Sequence, residues 1–243
     1  MRSCSAPSEA VAVGAPPGPL LFGRRRGRAL RPGQKVLLRD FLPQIALTIP
    51  VTGEVDPSRL FDANTRSIWV EIGFGGGEHL ADQAECHPEI GLIGCEVFEN
   101  GIAKLLARIK RSSIENIRIF TDDGRLLIAA LPPASIGRVF ILFPDPWPKR
   151  RHKGRRFVSR RTLDALALVM TDGAELHLAT DDHDLLSWML ERATDHPAFK
   201  WLARRPCDWR ERPPDWPPTR YEEKAKAAAR DAVFLRFRRQ ARR

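Results

Sequence analysis

Apolar positions change their period along this chain, and each change marks an element. Within residues 34–47, Val36, Leu37, Leu38, Phe41, Leu42 and Ile45 predict a short amphipathic helix, broken at Pro43. Residues 50–66 read as a loop. Residues 68–72, Ile-Trp-Val-Glu-Ile, form a β-rich run that ends in Gly73-Phe74-Gly75-Gly76-Gly77. A helix over about 78–86 stops at Pro88, and 92–97 reads as a second strand. Residues 99–111 bring Ile102, Leu105, Leu106 and Ile109 to one helical face. A third strand over 117–121 and a brief helix over 125–131 follow. The strand predicted over 138–143 runs straight into Pro144-Asp145-Pro146-Trp147-Pro148. Ser159 and Thr162 can cap a helix through about 170, residues 174–179 form a fifth strand, and 181–193 a helix with acidic residues at its start. Residues 206–218 hold five prolines and read as irregular, while 232–237 alternate like a last strand. Strand and helix in alternation imply an α/β fold with a doubly wound parallel sheet. Ligands in such sheets bind beyond the carboxyl ends of the strands.

The 243 residues suffice for one sizeable domain, and 43% hydrophobic with 29% charged residues is the balance of a soluble globular protein. No apolar run approaches the roughly 20 residues of a membrane helix, so no membrane association is expected. Residues 1–21, rich in Pro, Gly and Ala without a continuous apolar stretch, read as a disordered leader rather than a secretory signal. Residues 22–243 then form a single domain with a basic N-terminal arm. Cys4, Cys86, Cys95 and Cys207 form no C-x-x-C pair and no cluster of zinc spacing. Free thiols in a reducing cytoplasm, and no metal, are the expectation.

Net charge is +10, and its distribution says more than its size. Three acid-free blocks, 24–39, 149–161 and 236–243, carry seven, eight and five Lys/Arg, half of all 40. The rest of the chain holds 20 basic against 30 acidic residues and is therefore acidic. Concentrated basic blocks suit a polyphosphate partner, because each neutralised phosphate releases counterions.

Acids stand at successive strand ends. Glu71 precedes the glycine turn, Glu96 closes the second strand, and Asp122-Asp123-Gly124 follow the third. A glycine turn alone fits a dinucleotide as well as any other nucleoside ligand. Yet Glu71 beside a pyrophosphate would repel it, whereas a carboxylate suits S-adenosylmethionine, which carries an ammonium and a sulfonium. Glu96 can accept both ribose hydroxyls of a nucleoside, bidentate and planar, and this feature serves either ligand. Asp123, directly before a glycine turn, is the better acceptor for an adenine amino group. After the fourth strand, the prolines around Asp145 and Trp147 fix φ and remove donors, so this turn is stiff. A planar base can stack there, worth about 1–3 kcal/mol. The run Lys149-Arg150-Arg151-His152-Lys153-Gly154-Arg155-Arg156 begins two residues after Trp147, where gripped phosphates would bring a base over Asp145. Thr219-Arg220-Tyr221-Glu222, after the proline-rich stretch, is either a substrate-contacting segment or a capped helix start.

Over about residues 22–238 these features resemble the bacterial tRNA (guanine-N7)-methyltransferases. The markers are Glu71 to Gly75, Gly94-Cys95-Glu96-Val97, Phe143 to Lys149, Ala179-Thr180-Asp181, Thr219 to Glu222, and the basic arm from Phe22 to Arg28. Pro148 stands where His is common in that family, and Tyr221 where Phe is common; both substitutions keep rigidity or ring shape. The resemblance implies the Rossmann-like seven-stranded sheet of class I methyltransferases, its last strand antiparallel, and transfer of a methyl group from S-adenosyl-L-methionine to N7 of a variable-loop guanine in tRNA. It implies cofactor contacts from Glu71, Gly73, Gly75, Glu96, Asp123 and Asp145, with Asp145 also catalytic. Lys149, Asp181, Thr219, Arg220, Tyr221 and Glu222 would contact the substrate, and Arg150, Arg151, Lys153, Arg155 and Arg156 the RNA, in a monomer or homodimer. Another RNA-base methyltransferase, or a non-catalytic RNA-binding protein on the same fold, are the alternatives; labelled-cofactor assays and cofactor calorimetry separate them.

Overall fold

The computed structural model describes residues 22–51 and 53–242, so the expected leader lies outside the described residues. Seven strands form one sheet: β1 (Ser67–Ile72), β2 (Ile90–Cys95), β3 (Ile117–Phe120), β4 (Ile136–Leu142), β5 (Met170–Thr180), β6 (Phe199–Trp201) and β7 (Val233–Arg239). Their order is β3-β2-β1-β4-β5-β7-β6. The first five are mutually parallel, and β7 runs antiparallel to both β5 and β6. The chain winds outward from β1 to β3 and then returns to β4 on the other side of β1. The strand order thus reverses between β1 and β4, which opens a crevice at their carboxyl ends.

Strand parity divides the core. Ile68, Val70 and Ile72 of β1 join one hydrophobic cluster, and Trp69 joins the other, with Phe140 and Leu142 of β4. The second cluster is closed by α3 (Glu78–Cys86) and α4 (Glu99–Ser112), whose Leu80, Leu105 and Leu106 are fully buried. The first is closed by α5 (Gly124–Ala130), α6 (Arg160–Val169) and α7 (His183–Thr194). Each of these last three starts on a side chain that accepts from its own first turn: Asp123, Ser159 and Asp182.

The expected helix break at Pro43 is a correction. The helix runs from α1 (Pro32–Val36) through a π-helical turn over Leu37–Phe41 into α2 (Leu42–Ile45). The amide of Leu42 bonds the carbonyl of Leu37, five residues back, so the ladder widens just before the proline that cannot donate. Strand β2 ends at Cys95 and leaves Glu96 just outside it. Strand β5 starts four residues earlier than its apolar alternation, because its register against β4 shifts between Ile136 and Arg138. The three-residue β6 carries no readable period and exists by pairing with β7. The proline-rich stretch contains a one-turn helix, α8 (Cys207–Arg210), and is anchored by Trp216, buried against His177 and Phe234. Helix α9 (Arg220–Ala227) follows it. No helix among the described residues is long and apolar enough to cross a membrane. Cys86, Cys95 and Cys207 are free thiols.

Candidate active site

The crevice between β1 and β4 holds a cavity of about 410 Å³. Four strand ends feed it: Gly73 and Gly75 after β1, Glu96 after β2, Asp123 after β3, and Asp145 with Trp147 after β4. Gly75 adopts φ +58°, which a Cβ would strain. At Gly101 on α4 a Cβ would come within 2.0 Å of the Gly75 carbonyl oxygen, so bare backbone lets the helix press on the loop.

Glu96 is held by main chain. Its Oε1 accepts from the amides of Val97 and Phe98 at 2.7 and 2.9 Å, and its Oε2 accepts from Gly75 at 2.7 Å. A carboxylate offers about four lone-pair directions. Three are taken, and the open one is on Oε2, which leaves room for one hydroxyl rather than a symmetric pair. Burial pushes the Glu96 carboxyl above its ordinary range, the three amides pull it back, and the negative charge of Asp145 pushes it up again.

Asp123 is buried and caps α5: Oδ1 accepts from the amide of Arg125 and Oδ2 from its guanidinium, both at 2.9 Å. Asp145 is exposed at the mouth. Its turn is strained on both sides, for Phe143 and Trp147 have φ of +49° and +43°, rare for bulky residues.

Glu71 lies elsewhere. Alternation along β1 turns it to the α3 side, where it is 3% exposed and its Oε2 accepts from His79 Nδ1 at 2.7 Å. It borders a separate small cavity with Gly73, Glu78 and Thr219.

The basic run also divides. It forms a 3₁₀ segment over Arg150–Arg155. Lys149, Arg150 and Arg151 are exposed, and Lys153 Nζ lies 2.9 Å from Asp184 Oδ1. Arg155 lines the cavity, its guanidinium 4.9 Å from the Phe22 ring centre and 5.0 Å from that of Trp147. Arg156 is 1% exposed, and this corrects the expectation that it meets RNA: a phosphate has no access to it. Asp181 pairs with Arg230 at 2.8 Å. Thr219 is buried and caps α9 by accepting from the amide of Glu222. Glu222 is buried too, paired with Arg212 at 3.0 Å and Lys226 at 3.1 Å. Arg220 is exposed and lines a second cavity of about 210 Å³ with Arg28 and Lys104, while Tyr221 belongs to the same helix.

The arm over the cavity was legible only as a basic stretch. Phe22, Gly23 and Arg24 line the cavity, Arg25 stands 3.5 Å from Asp122, and the Arg25 carbonyl accepts from the amide of Glu99. Asn100 clips the arm by accepting from Gly27 and donating to the Arg28 carbonyl, each at 2.8 Å. The pairing of Arg26 with Glu99, 73 residues apart, has no local signal in the sequence.

The residues present fit a cationic nucleoside. Glu96, Asp122, Asp123 and Asp145 bring carboxylates to the cavity, and Ile72, Cys95 and Ile141 give it an apolar wall. Such a lining attracts an ammonium and a sulfonium and accepts a flat base.

Comparison with known proteins agrees with this chemistry. Residues 65–235 match a family described as putative methyltransferase. A relative from Rhodospirillum rubrum, named tRNA (guanine-N(7)-)-methyltransferase, is 49% identical over 91% of this chain and 88% of its own length. One of the same name from Paramagnetospirillum magneticum is 50% identical, over 92% and 94%. Among solved structures, the 16S rRNA methyltransferase KamB aligns at a TM-score of 0.54 with 16% identity, covering 74% of this chain and 90% of its own. The 16S rRNA (adenine(1408)-N(1))-methyltransferase of Catenulisporales acidiphilia aligns at 0.50, also at 16%, over 78% and 96%. At such identity these two speak to the fold alone, a seven-stranded methyltransferase sheet.

Proposed function

The chain belongs to the family of tRNA (guanine-N(7)-)-methyltransferases, and from that premise we propose that it methylates N7 of a variable-loop guanine in tRNA, with S-adenosylmethionine as the donor. The observation that carries the reading is the meeting of Glu96, Asp123 and Asp145 on one cavity beside an exposed basic segment. We take residues 22–243 as one methyltransferase domain with a basic arm, acting in the cytoplasm on tRNA.

The cofactor, when bound, supplies a methyl group on a positively charged sulfur. Glu96 would accept a ribose hydroxyl on Oε2, and Asp123 would accept from the adenine amino group at the cavity wall. The glycine loop at Gly73 and Gly75 lets the ligand approach main chain. Guanine N7 holds a lone pair and no proton, so no general base is needed. The work left to the protein is positioning and charge. Asp145 would accept from guanine N–H groups and stabilise the positive charge that grows on the purine. Its stiff turn means that little reorganisation is needed at that moment.

Trp147 already carries Arg155 against one side, under the Phe22 ring. A base that stacks on Trp147 must use its other face or displace the arm. Lys149, Arg150 and Arg151 are exposed and can meet phosphates, and Arg28, Lys104 and Arg220 offer a second basic patch. Asp181, Thr219 and Glu222 would act by framing α9 and so placing Arg220 and Tyr221.

The test is methylation of tRNA with labelled cofactor, followed by cleavage at alkali-labile N7-methylguanine sites. Cleavage at one variable-loop guanine is the expected result. Label at another base, or incorporation into ribosomal RNA or protein instead, overturns the reading.

A further inference from the structure

Arg155 and Arg156 are neighbours in a run of cations, and the fold treats them in opposite ways. Arg155 faces the cavity, whereas the side chain of Arg156 is wholly withdrawn from solvent. Its Nε donates to the carbonyl oxygen of Pro146 at 2.8 Å, and one terminal nitrogen donates to Asp184 Oδ2. Its plane packs over Trp188, 5.0 Å to the ring centre, and Trp188 is itself fixed by Nε1 donating to the Val158 carbonyl at 2.7 Å. The remaining terminal nitrogen, Nη1, has no hydrogen-bond partner among the described residues.

Burying a guanidinium is costly, and Asp184, about half exposed, is the one carboxylate paired with it among the described residues. A surface phosphate contact needs no such burial. What the buried group reaches is the main chain of Pro146, between Asp145 and Trp147. Prolines remove the donors by which a turn ties itself down, and Phe143 and Trp147 sit at positive φ. The turn therefore depends on a donor from outside, and strained backbone persists only where its surroundings over-determine it.

We propose that Arg156 is a positioning residue for methyl transfer: its buried guanidinium holds the Pro146 carbonyl, and through it the carboxylate of Asp145 and the ring of Trp147, at the mouth of the cavity. In a 3₁₀ segment, residues three apart fall on one side. Arg156 caps the segment with its amide bonded to the Lys153 carbonyl, and both Lys153 and Arg156 meet Asp184 at the first turn of α7. One carboxylate thus ties the exposed basic segment and the Asp145 turn to the same helix. Lysine cannot replace this arginine, because a single ammonium lacks the fork that serves Pro146 and Asp184 together. The inference rests on the reading that Asp145 acts at the reacting base.

The test uses the full chain with tRNA and measures kcat, KM, cofactor affinity, thermal midpoint and the salt dependence of RNA binding. Arg156→Lys is expected to lower kcat at least tenfold, and Arg156→Met further. Cofactor affinity should stay within about twofold, and the salt slope should not move. Asp184→Asn keeps an acceptor at the surface and should lower kcat about threefold with the fold intact, which covers the case in which Arg156 variants do not fold. A salt slope reduced by about one with unchanged kcat makes Arg156 a phosphate contact and overturns the proposal. So does a lower thermal midpoint with unchanged kcat in Arg156→Lys, or unchanged kcat in Asp184→Asn. In the Asp145→Asn background, Arg156→Lys should add clearly less than its loss in the native chain, since part of its effect runs through Asp145 and only the Trp147 part remains. Additive losses overturn this inference and leave the role of Asp145 standing. Full turnover in Asp145→Asn alone overturns that role itself.

Discussion

Two groups of carboxylates, one at the carboxyl ends of the strands and one on the α3 face of the sheet, have opposite surroundings. On the cavity side, Glu96 and Asp145 line the open cavity, and Glu96 takes its hydrogen bonds from main-chain amides. On the α3 side, Glu71 and Glu175 are matched to histidines, His79 at 2.7 Å and His177 at 2.8 Å. Those histidines pack in turn around Phe140 and Trp216, with centroid distances of 4.7 to 5.3 Å. Residue type does not separate the two groups. Strand parity and the covering helices do: one side opens at the β1/β4 reversal, the other is sealed by α3 and the proline-rich stretch. The first group stays accessible from the cavity, and the second is enclosed with its histidine partners.

That contrast sets the experiments. Asp145→Ala should lower kcat about 10²–10³-fold, as loss of a preorganised electrostatic group does, and leave the thermal midpoint unchanged because the residue is exposed. Methyl-transfer kinetics beside a melting curve check this; a fall in both would erase the distinction between the two sides.

The opposite pattern is expected at His177. Burial pushes its pKa down to about 4, the Glu175 hydrogen bond pulling the other way. The His177 hydrogen bond holds Glu175 down to about 2 against its desolvation, with Arg236 and Arg238 assisting. The ordinary histidine value is 6.5, so between pH 6.5 and 4 the unfolded chain takes up a proton that the folded one refuses. Stability falls through that window as pH drops, by about 3 kcal/mol in all. The Glu175 contribution, present above about pH 4.5, is then lost toward pH 2. Denaturant midpoints across pH should show the first slope in the native chain and not in His177→Gln, while kcat at neutral pH stays put.

Glu96→Gln sharpens the comparison from the cavity side. An amide that faces the Gly75 N–H cannot accept as a carboxylate oxygen does, so cofactor Kd should rise about tenfold, with a stability loss of about 1–3 kcal/mol. Calorimetry and melting read both; unchanged affinity would place Glu96 with the structural carboxylates. The smallest effect belongs to the exposed cations. Arg150→Ala and Arg151→Ala should each reduce the salt slope of tRNA binding by about one and leave kcat alone.

Much of this was legible in the chain itself. The alternating elements announce a doubly wound sheet, because burial of one strand face or helix stripe imposes its period on the sequence. The glycine turn, Glu96, Asp123 and the proline-framed Asp145 stand at strand ends, where local backbone needs and ligand chemistry coincide. Those signals are short-range, and short-range signals survive in one dimension. What only the tertiary structure decided is which of two similar residues does what. Glu71 turns away from the cavity by strand parity and finds His79 on the next helix. Arg156 leaves a run of mostly solvated cations because Pro146 of the turn after β4 and Asp184 and Trp188 of α7 converge on it. The arm covers the cavity through Glu99 and Asn100, over seventy residues away. Strand β6 exists because β7 pairs with it. Each of these outcomes depends on contacts between distant segments, and their energy resides in the packed fold, not in the local pattern of the chain.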